Sequence, residues 1–153
     1  MFLHNARRDF TYFVYNIAEI LPVVKNLPTS RRIRVLLAED ECIYQRIIEK
    51  YMHDFNIQLT IVDDGQKCLE KLKKHRYDVI LMDIIMPKIN GLEVAQAIRK
   101  KGIKTPIIAV TSNTWKEDEM QSIRSGMNDF LAKPFNAQKL ARKISYWSNK
   151  NYH

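Results

Sequence analysis

Three short runs constrain this chain more than anything else in it: VLLA (Val35–Ala38), VILM (Val79–Met82) and IIAV (Ile107–Val110) are apolar at every position. A strand with one face in water alternates apolar and polar residues. A uniform run instead marks a strand covered on both faces, as in a parallel sheet sandwiched between helices. The runs sit within IRVLLA (Ile33–Ala38), YDVILM (Tyr77–Met82) and TPIIAV (Thr105–Val110), and QLTIV (Gln58–Val62) and NDFLA (Asn128–Ala132) bring the strand count to five. Between them the apolar spacing turns helical: Ile43, Ile47, Tyr51 and Phe55 recur every fourth residue, Leu92 and Ile98 flank Ala95, and Leu140, Ile144 and Trp147 form a last stripe. The stretch Lys116–Ser125 is the poorest in apolar positions, with only Trp115, Met120 and Ile123, which reads as a mobile helix or a partner surface. Five βα repeats with right-handed crossovers predict an α/β fold: a five-stranded, doubly wound, flavodoxin-like parallel sheet in the order 2-1-3-4-5, over residues 31–150.

A chain of 153 residues has room for one such domain and little else. Residues 1–30 form an extension in which DFTYFVYNIAEIL (Asp9–Leu21) sets Phe10, Phe13, Val14, Ile17, Ile20 and Leu21 on one helical face, before Pro22 and Pro28-Thr29-Ser30 mark a linker. A helix packed back on the domain, a dimerising helix, the tail of a preceding domain and a passive linker all fit that pattern. The apolar part, Phe10–Val24, is interrupted by Asn16, Glu19 and Pro22 and falls short of the roughly 20 residues a spanning helix needs. No small-residue cleavage site follows it, and two cysteines, Cys42 and Cys68, make neither a metal spacing nor a disulfide framework. A cytoplasmic location is expected on these grounds, or the cytoplasmic part of a membrane protein if the chain was cut from one.

The net charge of +8 is scattered over several segments and fits a solubility surface, although nucleic acid or another anionic partner would also suit it. Two basic clusters, KLKKHR (Lys71–Arg76) and RKKGIK (Arg99–Lys104), fall where predicted helices end, a position that favours cations through the macrodipole alone. His4, His53, His75 and His153 have no surrounding pattern and read as surface residues.

Ligands of open parallel sheets bind beyond the carboxyl ends of the strands, where the strand order reverses. The first strand ends in AEDE (Ala38–Glu41), the third in Asp83, the fourth in Thr111-Ser112 and the fifth in AKP (Ala132–Pro134). With the first and third strands adjacent, Glu39, Asp40 and Asp83 converge. Carboxylates that close repel, so either one stays protonated or a cation binds among them, and an oxygen donor set with water positions suits Mg²⁺, with Mn²⁺ as a substitute. Lys133 adds a positive charge and Thr111 a hydroxyl. Taken singly, each of these residues is better explained as a helix cap, turn or surface group. Jointly they supply what a phosphoryl group needs: a carboxylate nucleophile, a divalent cation and two further donors.

In the order and spacing of these residues the chain from about Arg34 to Tyr146 resembles the receiver domain of the response-regulator family of two-component signalling. The resemblance implies that Asp83 is the phosphoacceptor, that Asp40 ligates Mg²⁺ directly with Glu39 acting through water, and that the backbone carbonyl of Ile85 completes the protein ligands. It implies that Lys133 pairs with the phosphoryl oxygens, that the bond from Lys133 to Pro134 is cis, and that Thr111 moves to the phosphoryl group while Phe130 fills the space left behind. Ile85 and Asn113 occupy the family positions past which the hydrolytic water travels. A branched apolar Ile85 should hinder that water and lengthen the life of the phosphoaspartate.

The partners implied are a histidine kinase or histidine phosphotransfer protein as donor, and a downstream protein that reads the surface of the fourth helix, fifth strand and fifth helix. That face or the extension would carry a homodimer. Only Ser148–His153 follow the fifth helix, so no DNA-binding or enzymatic effector is expected after it. The segment Gly91–Phe135 resembles receivers of hybrid histidine kinases somewhat more than stand-alone ones. Catalysis is expected to be limited to the domain's own phosphorylation and dephosphorylation. An aspartate-nucleophile phosphatase would carry a second Asp two residues on, where this chain has Ile85, and a phosphorylation-silent binding module would lack a group that is present here.

Overall fold

The computed structural model describes residues 31–112 and 116–150. The N-terminal extension, Asn113, Trp115 and the last three residues therefore lie outside the described residues. Ten elements alternate along the rest: β1 (Ile33–Ala38), α1 (Cys42–His53), β2 (Ile57–Val62), α2 (Gly65–Lys74), β3 (Val79–Met82), α3 (Gly91–Lys100), β4 (Ile107–Thr111), α4 (Lys116–Arg124), β5 (Asp129–Ala132) and α5 (Ala137–Lys150). All strand pairs are parallel and the order is β2-β1-β3-β4-β5, as the alternation predicts.

The uniform apolar runs split cleanly between two cores, one on each face of the sheet. Val35, Leu37, Val79, Leu81, Ile108 and Val110 pack with Ile48 and Met52 of α1 and Leu140 and Ile144 of α5. Their neighbours in sequence, Leu36, Ala38, Ile80, Met82, Ile107 and Ala109, pack with Cys68 of α2 and Val94, Ala95 and Ile98 of α3. Successive side chains of a strand point to opposite faces, so only an all-apolar run can feed both layers.

Strand limits shift by one or two residues from the sequence reading, for local reasons. β3 starts at Val79 because the Asp78 carboxylate accepts from the backbone N–H of Arg34 (2.7 Å) and from Arg31 (2.6 Å), and β4 starts after Pro106, which has no N–H to give. Helix starts are capped by side chains: Asp64 accepts from the Lys67 N–H (2.7 Å), Asn90 from Glu93 (2.9 Å) and Asn136 from Lys139 (2.8 Å).

One expected stripe is corrected. Ile43, Ile47, Tyr51 and Phe55 were to face the core from the first helix, yet Ile43 is 71% exposed and Ile47 and Tyr51 are only half-buried, while Ile48 and Met52 are buried. At 3.6 residues per turn a spacing of four drifts steadily around the axis, and Ile43 ends roughly 140° from Ile48, on the far side. Phe55 is buried, but beyond the helix end. α4 buries only Ser122 and leaves Met120 and Ile123 more than half exposed, consistent with its sparse apolar pattern. Among the described residues no helix is long and apolar enough to cross a membrane.

Candidate phosphoryl site

The backbone continues its sheet pairing one residue past β1, β3 and β5, and this fixes the site. Asp83 N–H donates to Ala38 O (2.9 Å), Glu39 N–H to Val62 O (3.0 Å) and Lys133 N–H to Thr111 O (2.8 Å). Each functional side chain thus leaves from a residue held by its neighbour strand rather than from a free loop. The price in desolvation is high: Glu39, Asp83, Thr111 and Lys133 are all buried.

Lys133 meets that cost. Its Nζ donates to Glu39 Oε2 at 2.6 Å and to Asp83 Oδ2 at 3.3 Å, and it lies 4.0 Å from the centre of the Tyr44 ring. The remaining oxygens are also engaged, Asp83 Oδ1 accepting from the Ile85 N–H (3.2 Å) and Glu39 Oε1 from the Glu41 N–H (3.0 Å). Burial still pushes both the Glu39 and the Asp83 carboxyls up from their ordinary range, against the lowering pull of Lys133 and of these hydrogen bonds. Burial works to lower Lys133 as well, but the two carboxylates outweigh it and its ammonium is held more firmly protonated than usual.

Carboxylate oxygens of Glu39, Glu41 and Asp83 lie within 4.8 Å of one another. Against three carboxylates stands one ammonium, which leaves two negative charges when all are ionised. One divalent cation with oxygen preference matches that deficit, so the residues present fit Mg²⁺.

The grouping differs from the expected one at a single residue. Asp40 is half-buried and lines a neighbouring cleft with Asp63 and Lys67, while Glu41, which the sequence reading did not single out, joins Glu39 and Asp83. Side chains at a strand end still alternate, so Glu39 and Glu41 share a side and Asp40 points across it. That alternation was the available signal in AEDE. Tyr44 under the lysine was also missed, because its position depends on the phase of α1.

The other expected residues take these places. Ile85 is 59% exposed, with its N–H on Asp83; Phe130 is half-buried against the α2/α3 core; the Lys133–Pro134 peptide is cis. Asn113 is outside the described residues.

Comparison with known proteins identifies the family. Residues 35–145 match the model of the response regulator receiver domain. The chain is 37% identical over 116 residues to the transcription factor SKN7 of Saccharomyces cerevisiae, covering 75% of this chain and 19% of that protein. It is 34% identical over 143 residues to the response regulator mcs4 of Schizosaccharomyces pombe, covering 75% of this chain and 27% of the other. It therefore spans about a fifth to a quarter of these relatives. Among solved structures, the receiver domain of the sensor histidine kinase PA1611 of Pseudomonas aeruginosa PAO1, with a magnesium ion coordinated in its active-site cleft, is 35% identical with a TM-score of 0.71, covering 76% of this chain and 98% of that one. The receiver domain of the Francisella response regulator 1452 is 28% identical with a TM-score of 0.74, covering 78% and 98%. A five-stranded 2-1-3-4-5 sheet with an acid–lysine pocket at its switch point and this span of similarity make the chain a member of the response regulator receiver domain family.

Proposed function

We propose that Asp83 accepts a phosphoryl group from a histidine kinase or a histidine phosphotransfer protein, and that the chain signals through protein contacts rather than through turnover of a substrate. The observation that carries the reading is the buried Asp83–Lys133–Glu39 arrangement at the end of β3. A carboxylate held in place by a lysine, with further acidic oxygens unmatched by positive charge, is a poor structural salt bridge and a good phosphoryl acceptor.

In the transfer, an Asp83 oxygen forms the new O–P bond as the N–P bond to the donor imidazole breaks, and the electron pair leaves with that nitrogen. Lys133 shifts its hydrogen bond from Asp83 Oδ2 to the incoming phosphoryl oxygens, and the Ile85 N–H keeps the carboxylate oriented. Mg²⁺, when bound, supplies charge neutralisation on those oxygens. The resemblance assigns the direct ligand role to Asp40, with Glu39 through water and the Ile85 carbonyl completing the set; the geometry adds Glu41 as a competitor. Calorimetric Mg²⁺ titration separates them: Asp40→Asn is expected to weaken binding sharply and Glu41→Gln only slightly, and the reverse result gives the ligand role to Glu41.

Thr111, buried at the end of β4, is the hydroxyl placed to follow the phosphoryl group, and Phe130 on β5 the ring that responds. Lacking a hydroxyl, Phe130 makes that response a matter of apolar packing. The consequence is a changed α4–β5–α5 face, where Met120, Ile123 and Tyr146 are exposed. Incubation with Mg²⁺ and acetyl phosphate tests the core of the reading by intact mass. An acid-stable, base-labile phosphoryl adduct is expected, absent from Asp83→Asn. Failure with every donor, or an adduct that survives Asp83→Asn, refutes it. The same adduct is expected to decay faster in Ile85→Asn, and an unchanged half-life removes Ile85 from control of hydrolysis.

A further inference from the structure

The opposite end of the sheet, where the chain enters β3 and β4, carries a feature the phosphoryl site does not use. Between the end of α2 and the loop from α3 to β4 lies a cleft of about 650 Å³ whose lining includes the cationic Lys73, Lys74, Arg76 and Lys104 together with His75. Lys100 and Lys101 directly precede the Gly102–Thr105 wall. The two segments that form it, Lys71–Arg76 and Arg99–Lys104, contain no acidic residue. Among the described residues none of Lys73, Lys74, Arg76 or Lys104 is paired with a carboxylate, and Asp78 nearby is committed to Arg31 and the Arg34 N–H.

Helix ends explain part of this. Lysines of a last turn complement the macrodipole, which covers Lys71, Lys73, Lys74 and Lys100. Arg76 and Lys104 lie beyond the helices, on the loops, where no such term operates, and both line the same cleft. Arg99 belongs to neither account, since its guanidinium is used on the carbonyls of Gly126, Ile103 and Thr105.

The chemistry of the lining selects the partner. Protein interfaces are depleted in lysine and anchored by aromatic and apolar residues, and no large exposed apolar side chain stands on α2, α3 or the loops after them. The same lack removes the wedge that inserts into a lipid surface or the ring on which unpaired bases stack. What remains is a lysine-rich concave surface, complementary to a raised ridge of phosphates. We infer that this cleft binds the phosphodiester backbone of duplex nucleic acid without reading its sequence, independently of phosphorylation at Asp83.

Fluorescence anisotropy of the full chain with short labelled duplexes of two unrelated sequences tests this, in DNA and RNA arms that identify the source of the backbone. Four cationic side chains in the cleft predict a slope of log K against log salt of about −3.5, or about a hundredfold loss between 50 and 200 mM salt, equal for both sequences. The triple variant Lys74→Glu/Arg76→Glu/Lys104→Glu is expected to lose at least about tenfold in affinity. The charge-matched control Lys116→Glu/Lys139→Glu/Arg142→Glu, at exposed positions away from the cleft, should lose much less. Both are first shown to unfold with one cooperative transition. The inference is overturned if neither duplex binds at low salt, if the control loses as much as the cleft variant, or if phosphatidylserine vesicles or polyglutamate bind the cleft while duplexes do not.

Discussion

Gly91→Ala tests whether the start of α3 sets the position of Asp83. A Cβ on Gly91 would lie 2.1 Å from the Asp83 carbonyl oxygen and 2.9 Å from both the Asp83 carbonyl carbon and Ile84 Cα. Real Cβ atoms essentially never come below 3.0 Å, so the gap has to open by 0.9 Å, the difference between 3.0 and 2.1 Å. All three obstacles are backbone atoms and the backbone is pinned. Asp83 N–H is bonded to Ala38 O, and Gly91 N–H to Ile84 O at 2.7 Å. Backing α3 away strains the packing of Val94, Ala95 and Ile98, which it buries against the sheet. Overpacking of this kind costs about 1–3 kcal/mol, here near the upper end because nothing flexible can yield. Alanine returns at most about 1 kcal/mol through its lower unfolded-state entropy and helix preference. The net is a loss of about 2 kcal/mol, or roughly 8 °C in Tm for a domain of this size. Phosphoryl uptake from acetyl phosphate should fall with it, because the displaced atoms belong to Asp83, the proposed acceptor. Gly102→Ala is the control: with φ at +74° and nothing within 4 Å, it loses about 1 kcal/mol through backbone strain alone and leaves uptake intact. A Gly91→Ala protein as stable and as readily phosphorylated as the parent refutes the argument.

Arg99→Lys keeps the charge but loses the fork that binds the carbonyls of Gly126, Ile103 and Thr105 and the side chain of Asn128, and should lower the urea midpoint by the equivalent of about 2 kcal/mol with an unchanged m value. Of the two thiols, Cys42 is exposed, whereas Cys68 is buried and its thiol is pushed up to about 12, so a disulfide reagent should titrate one equivalent in the native protein and two in denaturant. Burial tends to raise the Asp129 carboxyl, but hydrogen bonds from Lys143 (2.7 Å), Trp147 (2.8 Å) and the Phe130 N–H hold it below its ordinary value on balance. A depressed folded value stabilises above the unfolded one and is lost as pH falls through it, so the stability gap between the parent and Asp129→Asn should be full near neutrality and shrink below roughly pH 4. A gap that does not change with pH removes the linkage.

The sheet was legible because its evidence is redundant. Val35 through Ala38, Val79 through Met82 and Ile107 through Val110 must be covered on both faces, and only a parallel sheet between helices does this for three strands at once. Helix faces were less legible. A spacing of four residues looks like a stripe in α1, but what decides burial is angular distance from the sheet, which places Ile48 and Met52 inward and Ile43 outward. The reading of α4 succeeded for the opposite reason, since a helix with so few apolar residues has little to bury wherever it points.

At the site, legibility ended where the strands did. That Asp83, Glu39 and Lys133 meet was legible because each follows a strand whose register fixes its direction, and the chain brings them together by the hydrogen bonds that extend that register by one residue. Asp40 and Glu41 stand one and two residues further, where the backbone turns into α1. Composition does not say which of two adjacent acids turns toward Asp83, and the alternation that does say it has to be carried past the end of the strand to be read. The structure answers with Glu41, and it shows why the choice has consequences for charge. Lys133 already neutralises one of the two buried carboxylates; whichever acid stands third determines whether the remaining deficit is shared deep in the pocket or at its exposed rim. A cation held at the rim would keep water positions and leave room for a phosphoryl oxygen; the exposed Glu41 stands at that rim beside Glu39 and Asp83, and the Mg²⁺ titration of Asp40→Asn against Glu41→Gln decides which of the two acids holds the ion.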